Sequence, residues 1–237
     1  ATIAYTSGTT GAPKGVIQTH GNWLAILEVT AELGLFTEAS RNNGSILFLP
    51  LAHSFGRLVE LCCAYNGGPA VLSGIATLAE DLQKSRPGIF PAAPRVYEKI
   101  YGRVMAGVAT APPSRQRLFS WAISVGKQSI PYRRRGRRLP LLLALQHRLA
   151  ERLVFSKLRA RLGFDRLESA ATGSAPLAPA IHEFFLAIGV TLVEGYGLTE
   201  TCPILTANRP DRWKLGTVGA PVKNVVLKIA DESLREP

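Results

Sequence analysis

Cysteine, acidic residues and long apolar runs are all scarce in this 237-residue chain. The three cysteines show no CxxC spacing and no nearby cluster of histidines, which argues against a disulfide framework or a zinc site and favours core thiols in a reducing compartment. The apolar runs are far shorter than the roughly 20 residues that span a bilayer, so no transmembrane helix is expected. An initiator Met and a signal peptide are also missing from the first residues. We therefore expect a cytoplasmic protein whose chain begins inside a strand.

The shortage of acidic residues makes the chain strongly basic, because 28 Lys and Arg face 17 Asp and Glu and give a formal net charge of +11. Such an excess attracts polyanions of several kinds, including nucleic acid, anionic membrane surfaces, ATP and coenzyme A. Much of it lies in residues 132–161, which begin with the run YRRRGRR. We favour a solvated helix face with a basic loop there. Peripheral contact with an anionic membrane at its inner surface is the alternative, and no specific nucleic acid partner is expected.

Short apolar segments alternate with helical patterns over the first hundred residues. The predicted strands are the end of a buried strand at 3–5, then 46–49, 71–72 and 89–90. The predicted helices are 23–33, capped by Asn22 and stopped by Gly34, and 78–84. This alternation predicts an α/β fold with mainly parallel sheet flanked by helices.

Prolines and the basic run interrupt this pattern over residues 110–140, which we interpret as an irregular insertion. Apolar residues at 142, 145, 149, 153, 158 and 162 then predict a long amphipathic helix that ends at Gly163 and packs on its own domain, with a basic opposite face. The last predicted elements are strands at 166–172, 190–193 and 225–229 and a helix at 179–188. The α/β pattern therefore resumes after the insertion.

Residues 5–16, YTSGTTGAPKGV, form the most informative stretch of the chain. Small hydroxyl residues and glycines let backbone N–H and side-chain O–H groups converge on an anion, and Lys14 adds a positive charge. The spacing differs from a Walker A box, because only two residues separate the first two glycines and Gly15 follows Lys14. A merely flexible glycine loop is the alternative. The predicted phosphate-binding residues are Thr6, Ser7, Gly8, Thr9, Thr10, Gly11 and Lys14.

A second glycine-rich turn, VEGYGLTET at 193–201, directly follows an apolar strand, where open α/β sheets place ligands. Tyr196 could stack on a base, Thr199 could bond a phosphate and Glu200 could ligate a hard cation such as Mg²⁺. An ordinary strand and turn with a capping Thr is the alternative. The glycine-rich stretches at 5–16 and 193–201, in this order along the chain, together indicate one nucleotide site.

These two stretches resemble the phosphate loop and the GYGxTE motif of the adenylate-forming superfamily, which includes acyl-CoA synthetases, luciferases and peptide-synthetase adenylation domains. Residues 172–177, TGSAPL, are similar to the GGAPL turn beside the adenine, with Ser174 in place of the commoner glycine. Residues 216–221, GTVGAP, resemble a segment that lines the nucleotide from the other side. The resemblance implies that the nucleotide contacts also include Gly173, Ser174, Ala175, Glu194, Gly195, Tyr196, Gly197 and Thr199.

Further stretches resemble the long-chain fatty acid–CoA ligases within this superfamily. Residues 49–57, LPLAHSFGR, are similar to a segment in which a histidine, here His53, lies near the acyl carboxylate. Residues 94–99, PRVYEK, residues 154–159 and the basic insertion are also similar to that group. The resemblance favours a long-chain acyl substrate, and medium-chain, aryl or amino acids remain the alternatives.

The family reaction implied by this resemblance joins a fatty acid to ATP as an acyl-AMP, and coenzyme A then displaces AMP. Lys14, His53, Thr199 and Glu200 would act in catalysis, and Thr6 and Glu200 would hold Mg²⁺. Residues 1–109 would form the phosphate-loop and acyl part of a partial AMP-binding domain, and 141–237 the adenine and Mg²⁺ part. The chain stops before the family's ribose-binding Asp and its small C-terminal domain with a catalytic lysine. We therefore expect weak activity at best from these residues alone, and a non-catalytic binding paralogue is a further alternative.

Overall fold

A computed structural model describes residues 1–6 and 12–229 of the chain. Residues 7–11 of the predicted phosphate loop and residues 230–237 lie outside the described residues. The strands are β1 Thr2–Thr6, β2 Lys14–Gln18, β3 Ser45–Leu47, β4 Ala70–Leu72, β5 Ile89–Pro91, β6 Ser169–Thr172, β7 Leu192–Tyr196, β8 Thr206–Ala207 and β9 Ala220–Pro221. The helices are α1 His20–Glu32, α2 Glu38–Asn43, α3 Ser54–Asn66, α4 Leu78–Ser85, α5 Pro94–Ala109, α6 Pro113–Arg134, α7 Leu141–Ala150, α8 Ser156–Leu162 and α9 Pro179–Ala187.

The main sheet has seven strands in the order β4-β3-β5-β6-β7-β8-β9. Its first five strands in this order are parallel, and β8 and β9 join the β7 edge in antiparallel pairing. The strands β1 and β2 form a separate antiparallel hairpin in which Thr6 faces Lys14. The mainly parallel α/β architecture expected from the sequence is thus confirmed.

Two hydrophobic clusters cover the two faces of this sheet. Adjacent residues of β5 point to opposite faces, so Phe90 belongs to one cluster and Ile89 to the other. We call these the Phe90 cluster, which includes Tyr97 and Phe185, and the Trp23 cluster, which lies against α1 and α3. The fully buried Tyr97 hydroxyl donates to the Phe90 carbonyl at 2.6 Å, so its burial leaves no unsatisfied polar group. Burial of both faces explains why the central strands are short apolar runs.

Residues 110–140 are not an irregular insertion, because residues 113–134 form the 22-residue helix α6. Pro113 occupies the start of α6, where a helix needs no N–H donor, so this proline begins a helix instead of breaking one. Pro131 lies within the last turn. Helix α1 likewise begins earlier than predicted: Thr19 is its N-cap, and Asn22 completes a capping box from the third helical position.

The predicted helix over 142–162 is present but contains one π turn, Glu151–Phe155, between α7 and α8. Gly163 ends it in the left-handed conformation, as predicted. The expectation that its apolar residues pack on the domain is wrong for the first part, where Leu142, Leu145 and Leu149 are exposed. The wider π turn rotates the residues that follow it, so one regular spacing cannot describe both halves.

Three smaller predictions about strands also need correction. Ile3 and Tyr5 are largely exposed on the hairpin, so β1 is not a buried strand. Residues 225–229 are not a strand, and the short strands β8 and β9 were not predicted. The three cysteines are free and buried, as expected of core thiols.

Candidate functional site

A pocket of 280 Å³ opens at the carboxyl ends of the parallel strands β6 and β7. This edge is where ligands bind in open α/β sheets, because the loops that follow neighbouring strands converge there. The residues predicted from the sequence that line the pocket are His53, Gly173, Ser174, Glu194, Gly195, Tyr196, Gly197, Thr199 and Glu200. The turns at 172–177 and 193–201 and the predicted acyl-site histidine therefore share one cavity.

The turn after β6 is held against β7 by the Glu194 side chain. Glu194 is 5% exposed, and its Oε1 accepts the backbone N–H of Leu177 at 3.1 Å. Ser174 adopts φ of +71°, a left-handed conformation that costs a non-glycine residue about 1–2 kcal/mol. This conformation explains why glycine is the commoner residue in the resembling GGAPL turn. Ala175 of the same turn is not among the residues that line the pocket.

Gly197 lets the turn after β7 fold back closely on the following segment. A Cβ atom at this position would overlap the carbonyl oxygen of Pro203. Tyr196, the residue before Gly197, is 46% exposed and lines the pocket, where its ring can stack on a planar ligand. A glycine is therefore required here by contact and not only by flexibility.

The 3₁₀ turn Thr199–Thr201 carries the predicted phosphate and metal ligands. Within it, Thr201 Oγ1 accepts the backbone N–H of Leu198 at 3.0 Å. From the hairpin, the buried Gln18 side chain donates through Nε2 to the carbonyl oxygen of Thr199 at 2.8 Å. The hairpin that flanks the predicted phosphate loop is thereby bonded to the turn that carries Glu200.

Glu200 is suited to hold a divalent cation together with ligand oxygens. Its carboxylate is exposed at the pocket, and no ion-pair partner for it occurs among the described residues. No cluster of three or more His, Cys, Asp or Glu able to hold a metal occurs in residues 1–6 and 12–229. Mg²⁺ needs no such cluster, because it commonly binds through one or two carboxylates plus substrate phosphates and water. The donor set thus fits Mg²⁺ bound with a nucleotide.

His53 is the N-cap of α3, and its ring is held by a backbone bond. Its Nδ1 accepts the N–H of Phe55 at 3.2 Å, which leaves Nε2 as the position for the proton of the neutral ring. His53 lines the pocket together with Ser54 and Phe55. The ring can therefore present an N–H donor at the pocket.

Thr6 and Lys14 lie on the hairpin and are not among the residues that line the pocket. The Thr6 hydroxyl is 3.5 Å from the carbonyl oxygen of Lys14, the residue opposite it in the hairpin. Of the two predicted Mg²⁺ ligands, the described pocket therefore includes Glu200 but not Thr6. The roles of Thr6 and Lys14 in phosphate and metal binding, and those of residues 7–11, stay predictions.

Two buried residues of the pocket were not predicted as contacts. The Thr172 hydroxyl is buried at the end of β6 and finds no hydrogen-bond partner within the described part of the chain, and Thr172 lines the pocket. Asn208 Oδ1 accepts the Lys214 N–H at 3.0 Å, and its Nδ2 donates to the Glu194 carbonyl at 3.3 Å. Thr172 was within a quoted motif, whereas Asn208 had no motif to indicate it.

The segment 216–221 packs against β8, where the Thr206 hydroxyl donates to the Val218 carbonyl at 2.8 Å. Its residues are not among those that line the described pocket, although their neighbours Ala207 and Asn208 are. The lining of the nucleotide from this side stays a prediction.

The cysteine next to the site is not an activated nucleophile. Burial raises the pKa of the Cys202 thiol to about 11, and burial also raises the pKa of Cys63 to about 11. A thiol with such a pKa remains protonated at neutral pH and is a poor nucleophile. The site therefore offers hydroxyls, backbone groups and a carboxylate to a ligand, which suits binding of a nucleotide without a covalent intermediate on the protein.

Comparison with known proteins matches the AMP-binding enzyme family over residues 1–237. Long-chain-fatty-acid–CoA ligase 2 of Schizosaccharomyces pombe is 34% identical over an alignment 237 residues long. The alignment covers 96% of this chain and 33% of that protein. The chain therefore spans about a third of the length of this curated relative.

Two solved structures of o-succinylbenzoate CoA synthetase (MenE) from Bacillus subtilis share the fold. The complex with the acyl-adenylate intermediate OSB-AMP gives a TM-score of 0.63 at 20% identity and covers 97% of this chain and 36% of that one. The complex with ATP and a magnesium ion gives a TM-score of 0.61 at 20% identity and covers 99% of this chain and 38% of that one.

None of the described helices combines the length and hydropathy needed to cross a membrane.

Proposed function

Because this chain belongs to the AMP-binding enzyme family, we propose that it supplies the nucleotide-binding part of an enzyme that converts a long-chain fatty acid to its CoA thioester through an acyl-AMP. The observation that carries this proposal is the pocket that the turns after β6 and β7 line together with His53. The long-chain ligase relative supports the substrate class, and the MenE complexes with OSB-AMP, ATP and magnesium support the nucleotide and the metal.

In this reaction the fatty carboxylate attacks the α-phosphorus of ATP and pyrophosphate leaves, after which the coenzyme A thiol attacks the acyl carbon and AMP leaves. Tyr196 would stack on the adenine, while Thr199 would donate its hydroxyl to a phosphoryl oxygen. Bound Mg²⁺ would neutralise charge on the phosphates, with the Glu200 carboxylate as its protein ligand. The N–H at Nε2 of His53 would orient the acyl carboxylate. Lys14 would contact the departing phosphates.

The test is ATP–pyrophosphate exchange with palmitate, octanoate, benzoate and leucine, preceded by calorimetric titration with MgATP. We expect the 237-residue chain to bind MgATP and to support slow exchange, fastest with palmitate. Robust palmitoyl-CoA formation by this chain alone would contradict the expectation that these residues are only part of the catalytic apparatus.

Other outcomes of this test separate the alternatives. Fastest exchange with octanoate, benzoate or leucine would assign a different acid to the same chemistry. MgATP binding without exchange for any acid, both by this chain and by the full-length protein, would favour a non-catalytic binding paralogue. Absence of MgATP binding would overturn the proposed function itself.

A second proposal concerns peripheral contact with an anionic membrane through residues 132–161. The exposed leucines of α7, of which Leu141 is 90% and Leu142 69% exposed, follow a run of exposed arginines. Leucine side chains next to arginines match an interface between acyl chains and anionic headgroups. We propose that these exposed leucines enter the lipid boundary while the arginines contact lipid phosphates.

Cosedimentation with vesicles tests this contact. We expect binding to vesicles of phosphatidylglycerol, weak binding to phosphatidylcholine, and a loss of about tenfold when Leu142 and Leu145 become glutamine, because each leucine buries several methylenes. Leu24→Gln, at a leucine of α1 that is 55% exposed, is the control.

The basic run is tested by changing Arg134, Arg135, Arg137 and Arg138 to glutamine. Arg133 is kept, because its Nη1 donates to the Leu186 carbonyl at 2.7 Å and so holds α6 to α9. Equal binding to neutral and anionic vesicles would contradict the membrane proposal. So would binding to duplex DNA that is stronger than vesicle binding and that the leucine substitutions leave unchanged.

A further inference from the structure

A second and larger cavity lies on the other side of the molecule from the nucleotide pocket. It is a groove of 610 Å³ between α5, the start of α6 and the helical segment formed by the π turn and α8. Its walls include Val104, Phe119 and Leu158, which pack against the Phe90 cluster. The nucleotide pocket instead borders the Trp23 cluster on the opposite face of the sheet. The groove is thus separate from the proposed adenylation site.

The chemistry of the groove is apolar in the floor and cationic at the rim. Arg103 and Arg115 stand on one side, and Lys157 and Arg161 on the other. All four are exposed, and their charged groups have no carboxylate partner among the described residues. No Asp or Glu occurs among the residues that line the groove. Four unpaired cations around an apolar floor complement an anion that carries a hydrocarbon chain.

Two backbone features keep the floor of this groove open. Gly107 lies within α5, and a Cβ atom there would meet nothing within 4 Å, so its missing side chain leaves free space. On the opposite wall, the π turn presents Leu153 and Val154 to the groove. Glycine inside a helix and a π turn both weaken a regular helix, and such turns are frequent at functional sites.

We propose that this groove binds a single-chain amphiphilic anion, with the acyl chain along the floor and a carboxylate or phosphate head between the four cations. Its volume lies within the range of cavities that hold small ligands. A free fatty acid and a lysophospholipid share this chemistry. The site differs from the proposed membrane contact, because it takes one molecule at a time from solution.

Dodecyl phosphate is the probe, because it carries the required chain and charge but no carboxylate that could be adenylated. Calorimetry below the micelle concentration is expected to show one site per chain. Gly107→Leu should weaken binding by about tenfold, since a leucine side chain would replace methylene contacts of the ligand. Gly102→Leu is the matched control, because it also lies in α5 with nothing within 4 Å of its Cβ and does not line the groove. Circular dichroism should show both variants folded.

The charge requirement is tested by changing Lys157 and Arg161 to glutamine, with Arg148 and Arg152 changed in the same way as the control. Only the first pair should lower affinity, and added salt should reduce the difference. Competition by palmitate and by lysophosphatidic acid then shows which source of the anion binds better. Glu200→Gln should leave dodecyl phosphate binding unchanged, so failure of the adenylation proposal would be seen separately. The proposal would be overturned if Gly107→Leu bound dodecyl phosphate as tightly as the wild type. It would also be overturned if the uncharged dodecyl maltoside bound equally well, or if the chain bound vesicles but not the monomeric probe.

Discussion

In the context of a complete enzyme, replacing Glu200 with glutamine is expected to reduce ATP–pyrophosphate exchange by about 100-fold, because the reacting phosphates lose a preorganised charge at their metal. The side chain is exposed at the pocket and lacks an ion-pair partner among the described residues, so its loss should leave the fold intact. The measurement is the exchange rate as a function of Mg²⁺ concentration. A higher Mg²⁺ requirement is the specific mark of a metal ligand, which a merely structural carboxylate would not produce.

The control for this substitution is Glu98→Gln, an exposed carboxylate on α5 outside the pocket. Lys14→Ala is the companion variant, because it removes the predicted phosphate contact and should raise the ATP concentration needed for half-maximal exchange. An unchanged Mg²⁺ requirement in Glu200→Gln would refute the metal assignment. Unchanged ATP dependence in Lys14→Ala would refute the phosphate assignment without affecting that of Glu200.

The second large effect is expected from Gly197→Ala. The added methyl group would overlap the Pro203 carbonyl, a backbone atom that cannot rotate away, so the turn after β7 must open. We expect destabilisation by about 1–3 kcal/mol and a loss of MgATP affinity, because opening this turn displaces Tyr196 and the residues that follow it. Thermal unfolding and calorimetric titration measure the two effects.

Gly74→Ala is the matched control, since the nearest atom to its Cβ would lie 3.8 Å away, in ordinary contact. Its stability and its affinity for MgATP should both equal those of the wild type. If Gly197→Ala bound MgATP as tightly as this control, the close fold of the turn would have no part in nucleotide binding.

Much of the candidate site was predictable because its residues lie in short continuous stretches. The turns at 172–177 and 193–201 each follow a strand of the parallel sheet, and such a sheet brings these turns to one edge whatever the intervening chain does. Gln18 and Asn208 could not be predicted in this way. The bond from Gln18 to Thr199 joins residues 181 positions apart, and no local spacing records such a contact.

The fold was predictable where it follows from local sequence patterns, and less so where it depends on contacts with other parts of the chain. The strands β3 and β5 are buried throughout and overlap the apolar runs at 46–49 and 89–90, so composition indicated them. The helix over 113–134 was missed because Pro113 begins it, where proline is tolerated, and because Pro131 lies in its last turn and does not end it earlier. The exposure of Leu142 and Leu145 depends on how the π turn rotates one half of the helix relative to the other. Apolar spacing alone does not reveal this rotation.

The bond between Gln18 and Thr199 also has a consequence for synthesis on the ribosome. The hairpin of β1 and β2 can form as soon as its own residues emerge, but its buried amide must wait for a partner made 181 residues later. At translation rates of 5–20 residues per second, this interval is roughly 10–40 s. During that time the hairpin lacks the hydrogen bond from Gln18 to Thr199. The candidate site therefore becomes complete only after the turn that carries Thr199 has been made.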